Sequence, residues 1–112
     1  LSLLKQTGQS IGAEQQVRIM LDVCSGMLHL TKEGIVHKDL AARNVLLSST
    51  GADVVAKVAD FGMSRQLESE DASHYSRADV GPVKWMAPES LFARKFNQAT
   101  DVWAYGVLCV EI

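Results

Sequence analysis

The 112-residue sequence has little cysteine, no excess of basic charge and no long apolar run. Its formal net charge of −2 leaves no basic stripe of the kind that binds nucleic acid, so no nucleic-acid partner is expected. The longest apolar run, around Val102 to Val110, is too short to span a bilayer, so no membrane segment is expected within the sequence. The two cysteines, Cys24 and Cys109, fall in apolar helical surroundings, which favours two buried thiols over a disulfide.

Apolar periodicity predicts two helices, one in each half of the sequence. Residues 13–32 repeat apolar side chains at helical spacing, and Gly34 follows as the predicted C-cap. The stripe predicted to be buried comprises Val17, Met20, Leu21, Cys24, Met27 and Leu28. Residues 101–112 are apolar nearly all round, which is typical of a helix buried on every side, with Thr100 as its N-cap and Trp103 in the core.

Short β segments and turns are predicted between these helices. Ile35-Val36 is one β segment, and residues 45–48 and 54–58 form a hairpin around the turn residues 49–53. Residues 63–80 are polar and without periodicity, and so long a loop favours a functional segment over a simple connector. Residues 88–93 predict a short helix and residues 96–100 a loop. The expected fold class is α+β, mainly helical with a short hairpin, and the length allows one small domain at most.

A polar loop at residues 37–44 carries the residues best suited to chemistry. Apolar runs flank it on both sides, and a polar loop held between two buried strands keeps reactive groups still. Asp39 and Asn44 lie five residues apart within it, and Asp60 follows the second strand of the predicted hairpin. The hairpin therefore allows Asn44 and Asp60 to converge. Two carboxylates and an amide are hard oxygen ligands that suit Mg²⁺, which also binds phosphate oxygens.

Three motifs in this order resemble those of a protein kinase. Residues 37–44 read His-Lys-Asp-Leu-Ala-Ala-Arg-Asn, residues 60–62 read Asp-Phe-Gly and residues 87–89 read Ala-Pro-Glu. They resemble the catalytic loop, the magnesium loop and the end of the activation segment. The form Asp-Leu-Ala-Ala-Arg-Asn, with Pro-Val-Lys-Trp at 82–85, is similar to the tyrosine-kinase branch. Serine/threonine kinases usually carry a Lys two residues after the Asp.

The resemblance implies that residues 1–112 are a partial catalytic domain. They would form its C-terminal lobe, with a central helix, the catalytic and magnesium loops, the activation segment and the start of a buried core helix. A complete kinase domain is more than twice as long, so we expect an internal fragment truncated at both ends. The N-lobe and the remainder of the C-lobe are then partners in cis, because no Gly-rich loop and no Val-Ala-Ile-Lys-like strand is present.

The resemblance also implies an ATP and Mg²⁺ site with assigned residues. Asp39 would accept or orient the proton of the attacking hydroxyl, and Arg43 would bind Asp39 and lie near the transferred phosphoryl group. Asn44 and Asp60 would hold Mg²⁺ against the phosphates of ATP. Leu46 would lie under the adenine ring.

Five further residues are implied to support this site. His37 would be structural, packing against Phe61 and hydrogen-bonding through its backbone near Asp101, which would brace the loop by accepting backbone N–H groups. Gly62 would permit the backbone turn that aims the Asp60 carboxylate. Glu89 would pair with an Arg that lies outside this sequence.

Regulation and substrate binding are expected along the activation segment. Lys38 replaces the usual Arg before the Asp and keeps the charge without the bidentate fork, so control by phosphorylation is expected to be weaker. Tyr75 is a predicted autophosphorylation site whose phosphate would dock on Lys38 and Arg65. The residues predicted to form a shelf for a protein substrate carrying tyrosine are Pro82, Val83, Lys84 and Trp85, following Gly81.

The leading interpretation is a protein-tyrosine kinase that transfers the γ-phosphoryl group of ATP, with the fragment alone inactive. It would reside in the cytoplasm, or on the cytoplasmic side of a membrane receptor. Two alternatives stay open: a serine/threonine or dual-specificity kinase with a tyrosine-like loop, and a pseudokinase that serves as a scaffold.

Overall fold

The computed structural model describes residue 1 and residues 11–48, 54–61, 64–66, 74–75 and 83–112. For residues 65, 66, 74 and 75 it describes the backbone only. The predicted turn at 49–53 and most of the polar segment 63–80 therefore lie outside the described residues. Within the described part, no helix is both long and apolar enough to cross a membrane.

The long helix α1 spans Ala13–Lys32, as the periodicity predicted. At its N-terminus the backbone N–H of Gly12 donates to Gln15 Oε1 at 3.2 Å. At its C-terminus the cap is Glu33 rather than Gly34. Gly34 follows with φ of 71°, a left-handed conformation that glycine adopts without a steric cost and that turns the chain out of the helix.

The predicted buried stripe of α1 was wrong. Ile19, Val23 and Leu30 are the buried positions, whereas Val17, Leu21 and Leu28 are 54–65% exposed. Of the predicted stripe, Met20 and Met27 are partly buried against the core. The helix carries two apolar stripes, and helical spacing alone does not tell which one packs against the rest of the chain.

The two cysteines are both free thiols. Cys24 is exposed and Cys109 is half-buried, so the prediction of two buried thiols was wrong for Cys24.

The described part of the chain contains three two-stranded antiparallel sheets. Strand β1 (Ile35–Val36) pairs with β4 (Arg65–Gln66), and the predicted hairpin forms from β2 (Val45–Leu47) and β3 (Ala56–Val58). The hairpin pairs Val45 with Val58 and Leu47 with Ala56. It packs on α1, where Asp22 Oδ2 accepts the backbone N–H of Ala56 at 3.0 Å. The third sheet joins β5 (His74–Tyr75) to β6 (Lys95–Phe96).

Two further helices lie in the part of the chain after residue 87. The short helix α2 spans Pro88–Ala93, as predicted, and α3 spans Gln98–Glu111. Helix α3 begins earlier than predicted because Asn97 is its N-cap, accepting the backbone N–H of Thr100 at 3.1 Å. Thr100 was the predicted cap and instead donates to the Asn97 carbonyl from inside the helix.

Helix α3 is not buried on every side within this chain. Val102 and Val110 are largely exposed, and Trp103, predicted as core, is 50% exposed. Its buried positions, including Asp101, Ala104 and Leu108, face α1 and the loop at residues 37–44. The core therefore lies between α1, the hairpin and one face of α3, with Ile19, Val23, Leu40, Val45 and Leu108 as fully buried members.

Candidate active site

The loop at residues 37–44 is attached to α3 by the carboxylate of Asp101. Asp101 Oδ2 accepts the backbone N–H of His37 at 2.7 Å, and Oδ1 accepts that of Lys38 at 3.1 Å. Burial raises the pKa of the Asp101 carboxyl above its usual value, while the hydrogen bonds from the two backbone N–H groups act in the opposite direction. Lys38 has φ of 71°, an unfavourable backbone for a side chain with a Cβ, and these two hydrogen bonds hold it there.

His37 is fully buried and joins the loop to the segment after β3. Its Nε2 lies 2.9 Å from the carbonyl oxygen of Ala59, and its Nδ1 lies 3.1 Å from the backbone nitrogen of Asp39. A carbonyl can only accept, so Nε2 carries the proton and Nδ1 accepts the Asp39 N–H. The imidazole ring also packs tilted against Phe61, with 5.4 Å between ring centroids. Both predicted contacts of His37 are thus present in the structure.

Asn44 connects Asp39 to the segment that carries Asp60. The Asn44 amide Nδ2 donates to the Asp39 carbonyl oxygen at 2.7 Å. The backbone N–H of Ala59, the residue before Asp60, donates to the Asn44 carbonyl at 2.8 Å. Asp39, Asn44 and Asp60 are therefore held close together by the loop and the hairpin. Asp60 is exposed and has φ of 58°, a second strained backbone position in this region.

Arg43 contacts both Asp39 and the predicted substrate shelf. Its Nη2 forms an ion pair and hydrogen bond with Asp39 Oδ1. Its guanidinium carbon lies 4.8 Å from the centroid of the Trp85 ring, a cation–π distance. Trp85 belongs to the 3₁₀ helix Val83–Trp85, and Arg43 to the 3₁₀ helix Ala42–Asn44. The two short helices therefore face one another across this contact.

Lys38 is buried and directed toward β6. Its Nζ lies 4.5 Å from the centroid of the Phe96 ring. Phe96 pairs through its backbone with His74, and Lys95 pairs with Tyr75. The Lys38 ammonium group thus lies beside β6, the strand that pairs with the backbone of Tyr75, the predicted phosphorylation site. The side chains of Arg65 and Tyr75 lie outside the described residues, so the predicted docking of a phosphate stays a prediction.

The remaining predicted residues are distributed over the surface around this cluster. Leu46 is exposed on the hairpin, as are Val83 and Lys84 in the shelf, and Glu89 is exposed in the first turn of α2. Gly62, Gly81 and Pro82 lie outside the described residues.

Sequence reasoning missed Glu111, at the end of α3. Its Oε1 accepts the backbone N–H of Ala42 at 3.0 Å and the indole N–H of Trp85 at 2.6 Å. The Ala42 N–H is at the start of a 3₁₀ helix, where a backbone donor has no partner within the helix. The available signal was a single carboxylate in the otherwise apolar run that follows Asp101.

The donor set of this region fits a magnesium ion held together with phosphate oxygens. Within the described ranges, no group of three His, Cys, Asp or Glu side chains could hold a metal. Mg²⁺ usually binds one or two protein oxygens and takes its other ligands from water and phosphates. Asn44, whose amide nitrogen is already bound to Asp39, offers Oδ1, and Asp60 offers a carboxylate. These two residues could hold the ion with a nucleotide.

Comparison with known proteins identifies the family. The model of the protein tyrosine and serine/threonine kinase family matches residues 1–112. The NT-3 growth factor receptor of Sus scrofa is 41% identical over 108 residues, which is 96% of this chain and 13% of the receptor. Ephrin type-A receptor 5 of Gallus gallus is 41% identical over 112 residues, covering 99% of this chain and 11% of that protein. Tyrosine-protein kinase csk-1 of Caenorhabditis elegans is 42% identical over 113 residues, which is 100% of this chain and 20% of that protein.

The chain belongs to the protein tyrosine and serine/threonine kinase family. It spans between 11 and 20% of the length of these three relatives. The predicted family is therefore confirmed, and a mainly helical chain with small sheets is consistent with it. Members of the family use ATP and Mg²⁺ and act on protein substrates.

Proposed function

We propose that the protein carrying this chain is a protein-tyrosine kinase, and that residues 1–112 belong to the C-terminal lobe of its catalytic domain. The observation that supports this most is the linkage of Asp39, Asn44 and the Ala59–Asp60 segment by two hydrogen bonds of 2.7 and 2.8 Å. That linkage supports a shared site, because it joins the segments that carry the proposed base and the two proposed oxygen ligands. Phosphoryl transfer depends mainly on such alignment and on neutralising charge.

Asp39 accepts the proton of the substrate hydroxyl in this proposal. Arg43 binds Oδ1, so we assign Oδ2 to the substrate. The hydrogen bond from the Asp39 backbone to His37 Nδ1 fixes the loop, and the Arg43 charge lies beside the position where negative charge develops. Asn44 and Asp60 hold Mg²⁺, which supplies neutralisation of phosphate charge when bound, and Leu46 contacts the adenine.

Tyrosine is the proposed acceptor because of how the shelf meets the catalytic loop. The Trp85 ring lies against Arg43, and Val83 and Lys84 are exposed beside it. We propose that these residues form a ledge that supports a long phenolic side chain; Pro82, which was predicted to belong to it, lies outside the described residues. One of the relatives named above is called a tyrosine-protein kinase, which supports the tyrosine branch.

Regulation and location complete the proposal. Tyr75 is proposed as an autophosphorylation site whose phosphate contacts Lys38 and Arg65, ordering the segment around β5. The catalytic domain is proposed to work in the cytoplasm, or on the cytoplasmic side of a membrane receptor, where ATP is available. Glu89, Phe61 and Gly62 are proposed to support the fold of the activation segment.

A peptide array incubated with the full-length protein, ATP and Mg²⁺ tests this function. Phosphate is expected on tyrosine peptides only. Asp39→Asn is expected to lower kcat by about 10²- to 10⁴-fold, the usual range for a general base. Phosphate on serine or threonine peptides alone would instead indicate the serine/threonine alternative. If the unsubstituted protein and Asp39→Asn both bind ATP but neither transfers phosphate to a peptide, the result would indicate a pseudokinase scaffold.

A further inference from the structure

Glu111 makes two hydrogen bonds with one oxygen atom, and they lead to different functional segments. Oε1 accepts the backbone N–H of Ala42, which is the residue before Arg43 in the catalytic loop. The same oxygen accepts the indole N–H of Trp85, the last residue of the 3₁₀ helix in the shelf. A half-buried carboxylate on α3 therefore bridges the catalytic loop and the shelf.

Trp85 is consequently held on two sides. Its Nε1–H is bound to Glu111 at 2.6 Å, and its ring face lies 4.8 Å from the Arg43 guanidinium carbon. Arg43 is in turn bound to the carboxylate of Asp39. A rotation of the indole would move the surface on which Arg43 rests, so the direction of the Arg43 side chain depends on the hydrogen bond at Glu111.

We infer that Glu111 is a positioning residue that sets the distance between the base Asp39 and the substrate shelf, and thereby favours tyrosine over serine. This inference rests on the proposed function. A tyrosine hydroxyl lies several ångströms farther from its backbone than a serine hydroxyl does. The separation of shelf and base therefore decides which hydroxyl reaches Asp39. Small misplacements of this kind cost up to about 100-fold in rate.

The test compares Glu111→Gln with Glu111→Met in the full-length protein, on matched tyrosine and serine peptides. The Gln carbonyl oxygen has two lone pairs and can accept both N–H groups, so Glu111→Gln is expected to retain activity within about threefold. Glu111→Met removes the acceptor, and kcat for the tyrosine peptide is expected to fall about 10- to 100-fold while KM for ATP is unchanged. The tyrosine-to-serine rate ratio is expected to fall with it.

Two further measurements separate positioning from a loss of folding. Glu14→Met, which removes an exposed carboxylate in the first turn of α1, is the matched control and is expected to leave the ratio unchanged. Trp85→Phe keeps an aromatic face for Arg43 but loses the Nε1–H donor together with one ring of the indole, so it is expected to lower the same ratio. In the double variant with Glu111→Met the two effects are expected not to add, because Glu111→Met already removes the hydrogen bond that Trp85→Phe removes.

The inference is overturned if Glu111→Met and Trp85→Phe lower thermal stability but leave the tyrosine-to-serine ratio of the folded protein unchanged. It is also overturned if Glu111→Gln lowers kcat for the tyrosine peptide as much as Glu111→Met does. Should the unsubstituted protein transfer no phosphate at all, the proposed function fails separately. The bridge is then judged by the ¹⁵N-indole NMR signal of Trp85, which is expected to shift in Glu111→Met and to stay in place in Glu111→Gln.

Discussion

Asp101 and His37 are 64 residues apart in the chain, and the Asp101 carboxylate accepts the His37 backbone N–H at 2.7 Å. The second carboxylate oxygen accepts the N–H of Lys38 at 3.1 Å. One side chain on α3 therefore fixes the start of the loop at residues 37–44, two residues before Asp39. The loop's geometry depends on this buried carboxylate rather than on local turn preferences alone, because Lys38 occupies a left-handed backbone conformation.

The first prediction concerns the pH dependence of stability at Asp101. Burial raises the pKa of its carboxyl in the folded protein, while the unfolded chain has the ordinary value of about 3.9. Between these two values the folded state binds more protons than the unfolded state. The contribution of Asp101 to the free energy of unfolding therefore falls as the pH rises through this window, and the loss is complete above the folded pKa.

Urea denaturation of the unsubstituted protein and Asp101→Asn across this window checks that sign. The difference in unfolding free energy, unsubstituted minus variant, is expected to decrease as the pH rises. Asn offers one oxygen where Asp offers two, so the variant is also expected to lose one hydrogen bond to the loop. A difference that grows with pH, or that does not change, would show that burial does not dominate at Asp101.

The second prediction concerns the buried face of α1. Ile19 is fully buried in the core, and Val17 on the opposite stripe is 55% exposed. In the 112-residue chain, Ile19→Ala is expected to lower the free energy of unfolding by about 2–5 kcal/mol, because it leaves a cavity. Val17→Ala is the matched control and is expected to change it by less than about 0.5 kcal/mol. Equal effects in urea denaturation would mean that the wrong stripe has been identified as core.

The third prediction concerns Lys38 and the response to phosphorylation at Tyr75. Lys38 contacts the Phe96 ring at 4.5 Å, next to the strand pair that includes the Tyr75 backbone. Lys lacks the bidentate fork with which Arg binds a phosphate. In the full-length protein, Lys38→Arg is therefore expected to increase the ratio of kcat/KM between the phosphorylated and dephosphorylated forms by about three- to tenfold. The increase is expected because Arg forms stronger charge-assisted hydrogen bonds with a phosphate.

Lys32→Arg is the control for this measurement, because Lys32 is exposed in the last turn of α1. It is expected to leave the ratio as it is in the unsubstituted protein. A ratio in Lys38→Arg that is unchanged or smaller would mean that the residue before Asp39 does not contact the phosphate. Mass spectrometry that always finds Tyr75 without phosphate would reject the regulatory site itself.

Much of the local structure follows from the sequence because its causes are local. Helix α1, the hairpin and α2 form where periodicity and turn residues predicted them. The proximity of Asn44 and Asp60 also follows, since the hairpin pairs Val45 with Val58 and leaves both residues at the same end. The three motifs were sufficient to predict the family, because they occur together in the right order.

The features that could not be predicted depend on which surfaces meet. Helical spacing identified one apolar stripe on α1 but not the one that packs, and the exposure of Trp103 and Val110 depends on what lies opposite them. The start of α3 was misplaced because Asn97 and Thr100 are both good capping residues, and only the hydrogen bond between them shows that Asn97 is the cap. Glu111 was missed because its partners lie 69 and 26 residues away.

Magnesium-dependent binding of ATP to the full-length protein tests most directly whether the oxygens of Asp39, Asn44 and Asp60 form one nucleotide site. Calorimetry would compare ATP affinity with and without Mg²⁺ in the unsubstituted protein, Asp60→Asn, and the control Glu14→Gln. Mg²⁺ is expected to strengthen binding at least about tenfold in the unsubstituted protein and the control, and by less than about twofold in Asp60→Asn, which lacks a charged ligand. The same gain from Mg²⁺ in Asp60→Asn as in the unsubstituted protein would contradict the proposed site.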